Sequence, residues 1–436
     1  MSFLPKTPLN PEYFNLVLPG ITSKSRRSVD KLLKNNHDQH HAFFNEKKFH
    51  NHLTHHLLAA YSFGANEKRL EEIYERHASY QRPLPPALDN PLTRENYHGQ
   101  LGKASAYTSF LRLFEKEIDE HGILDTVRRW IWSGDMLSRF VGGAYHPLIH
   151  VGYGVEFGLK GQVAEGLAMA ACTENRFSPW ISDSPALRDT VPTIPAISTA
   201  PLQQREEKGD NNKTSIRQDS FFDAVLSAND ENRLSKIFSQ PRAVDRINDY
   251  RNQWKHARAW ATREDLNARV KELFSTAVVC HGATGFPAAK EDEHAQGGVK
   301  IDFFMMHALT SSYFIQILVP HLLAEEAASL MQAHLFSTLV HFVMVGRPEV
   351  KIDRLLEYVS PNFKSISPEQ PHKHWAHLLD ATVDEEEHVI KAIRACAQAQ
   401  ILYNDDPDWF DDALYLKAAE LTYDLHGNWT FGVGFV

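Results

Sequence analysis

Cysteine is scarce in this sequence of 436 residues, which contains only Cys172, Cys280 and Cys396. Because these residues lie far apart, the sequence excludes a disulfide framework and a zinc knuckle and suits a reducing compartment. The sequence also lacks a run of about 18 apolar residues, the shortest that spans a membrane. Residues 1–8 have no apolar signal core. We therefore expect a cytoplasmic protein without a membrane span.

Basic residues are not in excess, and glycine-rich nucleotide-binding motifs are missing. Lys and Arg number 46 against 55 Asp and Glu, giving a net charge of -9, which argues against a general nucleic-acid-binding protein. Neither a Walker A loop nor a G-x-S-x-G elbow occurs. Gly152–Gly154 follows no predicted strand and lacks a third glycine at the required spacing, so a dinucleotide-binding loop is not predicted.

Strand patterns are also scarce, whereas apolar residues recur every three or four positions along most of the chain, the period of an amphipathic helix. The sequence predicts an all-α fold in a large single helical domain spanning 1–436. The polar segment 193–218 is predicted to be a disordered or extended inserted loop that the chemistry does not need. The predicted helices cover 29–34, 43–61, 68–80, 107–120, 124–140, 244–273, 309–345 with a break near Pro320, 388–400 and 413–425.

Histidine, by contrast, is abundant, with 24 residues, and it is the commonest transition-metal ligand and the usual proton shuttle. In the segment 49–61, His52 and His56 are four residues apart and would share a helix face beside the small Ala59 and Ala60. This segment predicts either imidazoles that face a metal or a polar face that continues into a core helix.

A second histidine pair lies in the segment 145–156. Pro147 suits the first turn of a helix, so His146 and His150 would be one turn apart, the usual geometry of two metal ligands on one helix. Two core histidines bonded to backbone carbonyls would give the same pattern. The residues alone therefore leave both interpretations open.

His307 lies alone within the apolar segment 302–312 and is followed by three hydroxyl side chains. A buried imidazole needs a polar partner. A metal ion is one such partner, and a hydrogen bond inside the core is the other. The segment predicts a buried histidine that is either a ligand or a structural residue.

The acidic segment 384–387 suits a helix N-terminus, and it places His388 and Lys391 three residues apart on one face. Burial beside another cation would shift Lys391 toward the neutral amine. A neutral amine captures carbon dioxide as a carbamate, which is a carboxylate-like metal ligand. If the Lys391 ammonium instead extends to solvent, the residue has no such role.

The remaining histidines carry weaker signals. Two of them, His334 and His341, are expected in the core, and exposure is expected for His37, His40, His41 and the cluster 372–377. Di-iron bundles use pairs of the form Glu-x-x-His, but the flanking patterns here support such a site poorly. The pairs of this form are Glu95/His98, Glu291/His294 and Glu385/His388.

Several segments together resemble the questin oxidase-like family. The resemblance depends on their joint occurrence in this order over most of the chain, since no single segment is specific. The matching segments are His50–Ala59, Ala78–Pro83, Tyr145–Glu156, Ala164–Ala168, Asp302–Ser311 and Asp384–Lys391. The resemblance implies an enzyme of fungal aromatic polyketide metabolism, such as a Baeyer–Villiger-type oxidase that opens the quinone ring of anthraquinones with dioxygen.

The implied oxygen chemistry and the histidines together suggest a mononuclear iron site, with Fe(II) as the best match. The sequence lacks the glycine fingerprints of flavin-binding enzymes. Because dioxygen reacts slowly with closed-shell organic molecules, an enzyme without flavin needs another group that activates dioxygen, and a redox metal held by imidazoles would do so. We expect His52, outside the metal site, to be the general base. The expected iron ligands are His56, His150, His307 and His388, with His146 as the leading substitute and Lys391 as a carbamylated ligand.

The expected substrate is a flat, hydroxylated polycyclic aromatic such as an anthraquinone or its hydroquinone. Five aromatic residues are predicted either to line its pocket or to be plain core. These residues are Tyr61, Tyr145, Tyr153, Phe303 and Phe304. The expected partners are this substrate and dioxygen, without nucleic acid or membrane, and the sequence defines neither the oligomeric state nor the need for an external NADPH-linked reductant.

Three alternatives stay open on the sequence alone. They are a helical metal-dependent hydrolase, an NADPH-dependent Baeyer–Villiger-type monooxygenase and a non-catalytic helical binding protein with structural histidines. Bound metal separates most of them: iron favours an oxygenase, zinc or manganese a hydrolase, and a metal-free protein the binding role.

Overall fold

A computed structural model describes residues 15–177, 181, 263–287, 298–404, 411 and 413–435. The loop predicted at 193–218 and the first part of the helix predicted over 244–273 lie outside these residues.

Helices form nearly all of the regular structure in these ranges, which confirms the predicted all-α fold. In chain order the α-helices are α1 Ser23–Gln39, α2 Leu53–Ser62, α3 Glu67–Ala78, α4 Tyr107–His121, α5 Ile123–Ile131, α6 Met136–Phe140, α7 His146–Phe157, α8 Lys160–Cys172, α9 Arg263–Gly282, α10 Phe303–Leu318, α11 Ala324–Met344, α12 Ile352–Leu356, α13 Pro371–Thr382, α14 Glu387–Tyr403 and α15 Leu414–Asp424. Two short strands, β1 Ile301–Asp302 and β2 Trp429–Thr430, pair in parallel.

The core is one continuous set of buried apolar residues that extends from Leu16 to Val433. It includes the long apolar helices α10 and α11, which are separated at Pro320 as the sequence predicts. By length and composition these helices could cross a membrane, but 89% and 83% of their most apolar stretches are buried within the protein. Such burial is typical of core helices.

Four helices, α2, α7, α10 and α14, form a closed arrangement in which each packs against two of the others. Glycine permits the close approach of α7 and α10, because a Cβ atom at Gly152 would overlap the side chain of Phe314. Gly154 of α7 and Gly166 of α8 permit the close approach of α7 and α8. A Cβ atom on either glycine would lie 2.8 Å from a backbone nitrogen of the other helix. The predicted site histidines lie on these four packed helices or at their ends.

The helix predicted over 43–61 begins only at Leu53. Phe43 and His50 form an antiparallel bridge, and Asn51 Oδ1 accepts a hydrogen bond from the Leu53 amide at 2.9 Å. His52 is therefore the N-cap residue, with φ -99° and ψ 0°. Its carbonyl oxygen accepts the first helical hydrogen bond, from the His56 amide at 3.0 Å, so His52 lies at the boundary of α2 rather than inside it.

The helix predicted over 124–140 is divided into α5 and α6. Gly134 lies between them with φ +49°, a left-handed conformation that glycine adopts without strain. The apolar period continues across this turn, which is why the sequence predicts a single helix there.

Candidate functional site

Imidazole nitrogens from three of the four packed helices meet at one buried point. The Nε2 atom of His52 lies 2.7 Å from Nε2 of His146 and 3.2 Å from Nε2 of His388. A ring nitrogen of His307 joins the group, within 4.8 Å of those of His52 and His388. All four side chains are buried, and because His307 comes from α10, the group draws on all four helices. We call these four residues the histidine cluster.

The second nitrogen of three cluster residues is fixed by an acceptor. Nδ1 of His146 lies 2.6 Å from the Gly143 carbonyl oxygen, and Nδ1 of His307 lies 2.8 Å from the Phe303 carbonyl oxygen. Since a carbonyl oxygen only accepts, each Nδ1 carries the hydrogen and donates it. In each neutral ring the Nε2 lone pair is then free, which is the arrangement that outer hydrogen bonds impose on metal-binding histidines.

His388 follows the same pattern with a carboxylate as acceptor. Its Nδ1 lies 3.0 Å from Oε2 of Glu386. Although burial opposes ionisation, hydrogen bonds from His388 and Trp429 lower the pKa of Glu386 to about 2. Glu386 is therefore a carboxylate, and the Nε2 lone pair of His388 points toward the cluster.

The cluster has more lone pairs than protons. A hydrogen on His52 Nε2 would have to serve both His146 and His388, and among the described residues Nε2 of His307 has no hydrogen-bond partner. Two imidazole nitrogens that bind one ion at about 2.0–2.1 Å lie about 3 Å apart at neighbouring coordination positions. The short distances and the surplus lone pairs therefore fit a first-row metal ion, and imidazole donors suit iron, copper or zinc.

Lys391 extends the same site on α14. Its ammonium group is buried, and within the described part of the chain it has no hydrogen-bond partner. Burial lowers the pKa of Lys391 to about 8, although Glu387 and Glu386 favour the charged form. Burial and the Lys391 charge in turn lower the pKa of His52 well below its ordinary value. A neutral Lys391 amine suits carbamate formation, which would add an anionic donor to the imidazoles.

Two of the expected ligands lie elsewhere. His56 faces α3, where its Nδ1 lies 3.0 Å from Nε2 of His77, and its Nε2 donates to the Glu385 carbonyl oxygen at 3.1 Å. His52, expected to be a base outside the metal site, occupies the place expected for His56. His52 is the N-cap residue, and its carbonyl oxygen accepts a hydrogen bond from the His56 amide at 3.0 Å. Its side chain nevertheless contacts His146, whereas the His56 side chain contacts His77 on α3.

His150 is also directed away from the histidine cluster. His146 begins α7, and His150 lies one turn farther along the helix, too deep to reach the point where the four helix ends meet. Nε2 of His150 donates to Glu165 Oε2 at 2.9 Å, and its Nδ1 lies 3.0 Å from Nε2 of His55. Of this histidine pair, the structure brings only His146 into the cluster.

A chain of hydrogen bonds continues from His55 toward the surface. After His150 and Glu165, Nδ1 of His37 lies 2.7 Å from Glu165 Oε1, and Nε2 of His37 lies 2.9 Å from Glu115 Oε1. Burial opposes the imidazolium, but hydrogen bonds to Glu115 and Glu165 raise the pKa of His37 to about 10. We call His55, His150, Glu165 and His37 the proton chain. Its outer end is a charged pair rather than the exposed polar face that the sequence suggests.

The outer end of the proton chain reaches a cavity of about 560 Å³ between α1, α7 and α8. His37 and Glu165 both line it, together with charged surface residues such as Lys34 and Lys160. Tyr61, expected to contact the substrate, lines this cavity instead of the histidine cluster. The cavity gives the proton chain an exit to solvent.

Two of the expected substrate residues are fully buried core residues. The Tyr145 hydroxyl is bonded to Thr338 Oγ1 at 2.9 Å. The Tyr153 ring packs on Phe314, with ring centres 4.5 Å apart, and on His55. These contacts leave neither ring a free face on the cluster, which agrees with the interpretation of both as core.

Phe303 and Phe304 differ, because they are half-buried beside the cluster. The ring centre of Phe303 lies 4.3 Å from that of His307 and 5.2 Å from that of His388. Phe431, which is 67% exposed, packs against Phe303 with ring centres 4.9 Å apart. This aromatic group lies between the histidine cluster and the surface.

Sequence patterns give little sign of several neighbours of the cluster. His50 stacks on His146, with ring centres 4.0 Å apart and planes 4° apart. Gly143 leaves room for it, since a Cβ atom there would lie 2.9 Å from the His50 ring. Glu165 lies on α8 and Trp429 on β2, outside the segments that carry the cluster residues. Two of these residues had a sequence signal, His50 in the histidine-rich segment and Glu165 in the segment Ala164–Ala168.

Comparison with known proteins agrees with the geometry. The family model described as Questin oxidase-like matches residues 49–396. The chain is 27% identical to the Baeyer-Villiger monooxygenase AacuH of Aspergillus aculeatus, over 96% of this chain and 90% of that protein. It is 26% identical to a Baeyer-Villiger oxidase of Paecilomyces divaricatus, over 93% and 87% of the two chains.

The questin oxidase of Aspergillus fumigatus is 26% identical, with 94% of this chain and 92% of that protein aligned. All these relatives carry names of oxidases or monooxygenases, and the family match includes all four cluster histidines and Lys391. The protein is an oxidoreductase, and the chain belongs to the questin oxidase-like family.

Proposed function

We propose that the protein is an iron-dependent oxygenase that uses dioxygen to cleave a carbon–carbon bond of an anthraquinone-type substrate in secondary-metabolite biosynthesis. The observation that carries the proposal is the grouping of His52, His307 and His388, whose ring nitrogens lie within 4.8 Å of one another, with His146 2.7 Å from His52, in a chain of the questin oxidase-like family. An enzyme without a bound metal would gain nothing from so many buried, mutually facing lone pairs, each of which costs free energy if it is left without a partner.

The iron would be held by the histidine cluster, with carbamylated Lys391 as the anionic donor. Iron supplies the electrons that activate dioxygen, which reacts slowly with closed-shell molecules on its own. The cluster residues lie at or near the N-terminal ends of four helices. Helix N-termini carry positive partial charge and stabilise anions, so the site favours both a carbamate and an ionised substrate phenol.

The substrate would enter beside Phe303 and Phe304, whose ring planes are nearly perpendicular at 84°, and would contact both rings with its apolar surface. Aromatic pairs with ring centres about 4.5–7 Å apart are favourable beyond the area that they bury. A hydroxyl group on the ring would then face the histidine cluster, where the helix ends stabilise the phenolate. The electron-rich ring carbon next to the carbonyl is the position at which oxygen is added and the carbon–carbon bond is broken.

The phenol proton leaves through the proton chain. Among the described residues Nδ1 of buried His55 has no hydrogen-bond partner, and we assign it as the first acceptor. As Nδ1 of His55 gains the proton, its Nε2 passes one to Nδ1 of His150, and Nε2 of His150 passes one to Glu165. Each imidazole stays neutral after the transfer, so the burial that lowers the pKa of His55 does not block it. Glu165 releases the proton into the adjacent cavity.

The Glu165→Gln variant tests this path, because glutamine keeps the shape of the side chain but accepts no proton. We expect turnover to fall about 100-fold, the usual contribution of general-base catalysis, while the iron content stays at the wild-type level. Glu115→Gln is the matched control, since Glu115 binds the same His37 from the surface and should retain activity. Wild-type turnover in Glu165→Gln, or a loss of its iron, would contradict a role in proton transfer.

The reaction itself is tested with iron-loaded protein, a hydroxyanthraquinone and its reduced form, under labelled dioxygen and under nitrogen. We expect ring-opened product that carries the label, and none without dioxygen. Label that comes only from water, or equal ring opening under nitrogen, would refute the oxygenase and favour the metal-dependent hydrolase.

The same experiment determines the electron balance. If both oxygen atoms of dioxygen enter the product, no external reductant is needed. If one atom enters and the other becomes water, two electrons must come from the hydroquinone substrate or from an NADPH-linked reductant. Comparing the quinone with and without NADPH against the hydroquinone alone distinguishes these sources.

A further inference from the structure

The C-terminal segment 427–434 lies across the N-terminal ends of α10 and α14, and we call it the strap. Trp429 and Thr430 pair with Ile301 and Asp302 in the parallel two-stranded sheet. At the far end, the Gly434 amide donates to the Val345 carbonyl oxygen at 2.8 Å. The strap lies C-terminal to the part of the chain that the family model matches, which ends at residue 396.

Asp302 ties the strap to the helix that carries His307. One carboxylate oxygen accepts from the Phe304 amide at 2.8 Å and caps α10. The other accepts from the Gly432 amide at 2.9 Å and the Val433 amide at 3.3 Å. Because Asp302 is buried and uses both oxygens, the position of the strap is fixed relative to α10.

Glu386 ties the strap to the helix that carries His388. Its Oε1 accepts from the Trp429 indole at 3.1 Å, while its Oε2 bonds to Nδ1 of His388. Gly427 fits closely here, since it has φ +71° and a Cβ atom would lie 2.8 Å from Glu386 Oε1. The same two carboxylates that orient the histidine-bearing helices therefore hold the strap.

This anchoring places Phe431 at the outer edge of the aromatic group. Its ring centre lies 4.9 Å from that of Phe303 and 6.1 Å from that of Phe304, yet 67% of the residue is exposed. A single exposed phenylalanine is common on protein surfaces. This one differs because it extends a row of rings that begins at His307 and His388.

We propose that the strap forms the outer wall of the substrate site and that Phe431 determines the preference for fused planar rings. Because Phe303 and Phe431 pack with ring centres 4.9 Å apart, a planar ligand that contacts both covers more of the exposed Phe431 ring as the ligand becomes longer, so a three-ring system gains more from Phe431 than a single ring does. The inference rests on the proposed function for the identity of the substrate class, but it concerns binding alone.

The test is calorimetric titration of the iron-loaded protein under nitrogen with a hydroxyanthraquinone and with a single-ring hydroquinone. Phe431→Ala should weaken binding of the three-ring probe about 3- to 10-fold, the value of one aromatic contact, and change the single-ring probe by less than about twofold. Phe431→Trp should retain the affinity for the three-ring probe. Phe49→Ala, which removes an exposed phenylalanine that packs on Phe44, should match the wild type.

Equal affinity of wild type and Phe431→Ala for the three-ring probe would overturn the inference, as would equal weakening of both probes or a wild type that binds neither. Iron content, measured on the same samples, should not change, because Phe431 is not a donor. Titration under nitrogen needs no turnover. A Phe431-dependent three-ring affinity in a protein that opens no ring would refute the proposed function and leave this inference standing.

Discussion

Alanine at any one of His52, His146, His307 or His388 is expected to remove most of the bound iron and to abolish ring opening. Loss of a hydrogen-bond partner outside the metal shell already costs about 10- to 100-fold in metal affinity or activity, and loss of a donor should cost more. The measurement is elemental analysis of protein purified without a chelator, with about one iron per wild-type chain expected for a mononuclear site.

The controls come from histidines of similar burial outside the cluster. His334 is fully buried, and its Nε2 is bonded to Ser311 Oγ at 2.7 Å, so His334→Ala should lose stability but retain iron. His56→Ala should also retain iron, because His56 is bonded to His77 and to Glu385. Thermal melting of each variant separates loss of fold from loss of metal.

The same variants decide between two donor sets. The sequence favours His56 and His150 as ligands, whereas the structure places His52 and His146 where those residues were expected. Normal iron in His52→Ala together with an iron-free His56→Ala would refute the histidine cluster. Zinc or manganese in place of iron in the wild type would refute the oxygenase and leave the cluster as the site of a hydrolase.

The helical fold was predictable because its signals are local. The three- and four-residue period and the break at Pro320 depend on residues next to one another in the chain. The errors occur where a local feature interrupts a continuing apolar period. The Asn51 side chain accepts a hydrogen bond from the Leu53 amide where α2 begins, and the left-handed Gly134 lies in the turn between α5 and α6 although apolar residues follow.

The sequence predicts only part of the site, and the reason is geometric. His146, His307, His388 and Lys391 follow from patterns within single segments, and the structure brings their helices together. Which nitrogen reaches the centre depends on the depth of each residue along its helix and on the backbone at the helix end, so His52 takes the place expected for His56 and His146 takes the place expected for His150. The spacing of residues within one segment does not predict how far along its helix a residue must lie to reach the centre of the site.

The hydrogen-bond partners of the site histidines and of Glu386 are still harder to predict from sequence patterns. Glu165 lies 128 residues from His37 and 15 from His150, and Trp429 lies 43 residues from Glu386. These partners are determined by packing between separate helices and by the C-terminal strand β2, not by a pattern within one segment. Glu165 belongs to the proton chain and Trp429 to the strap, so the site includes more than the four cluster histidines.

Lys391→Ala is expected to abolish activity even in protein that retains some iron. Lys391 is buried and in the described ranges has no hydrogen-bond partner, and burial lowers its pKa to about 8. Near neutral pH a minor fraction of the amine, far larger than for an exposed lysine, is therefore neutral and able to add carbon dioxide, with the proton released to water. The product carries negative charge where four helix N-termini favour it.

Three measurements distinguish a carbamate from a lysine that merely fills space. Carbon-13 bicarbonate should give a carbamate resonance in the wild type, prepared with a diamagnetic metal such as zinc, that is absent in Lys391→Ala. Small carboxylates such as acetate should partly restore turnover in Lys391→Ala, because they replace the missing oxygen donor. Lys391→Arg keeps a long cationic side chain but cannot form the carbamate, so it should be as inactive as alanine. Wild-type rates in Lys391→Arg would refute the ligand role, whereas an inactive arginine variant with carboxylate rescue in the alanine variant is the pattern that only an anionic donor at this position explains.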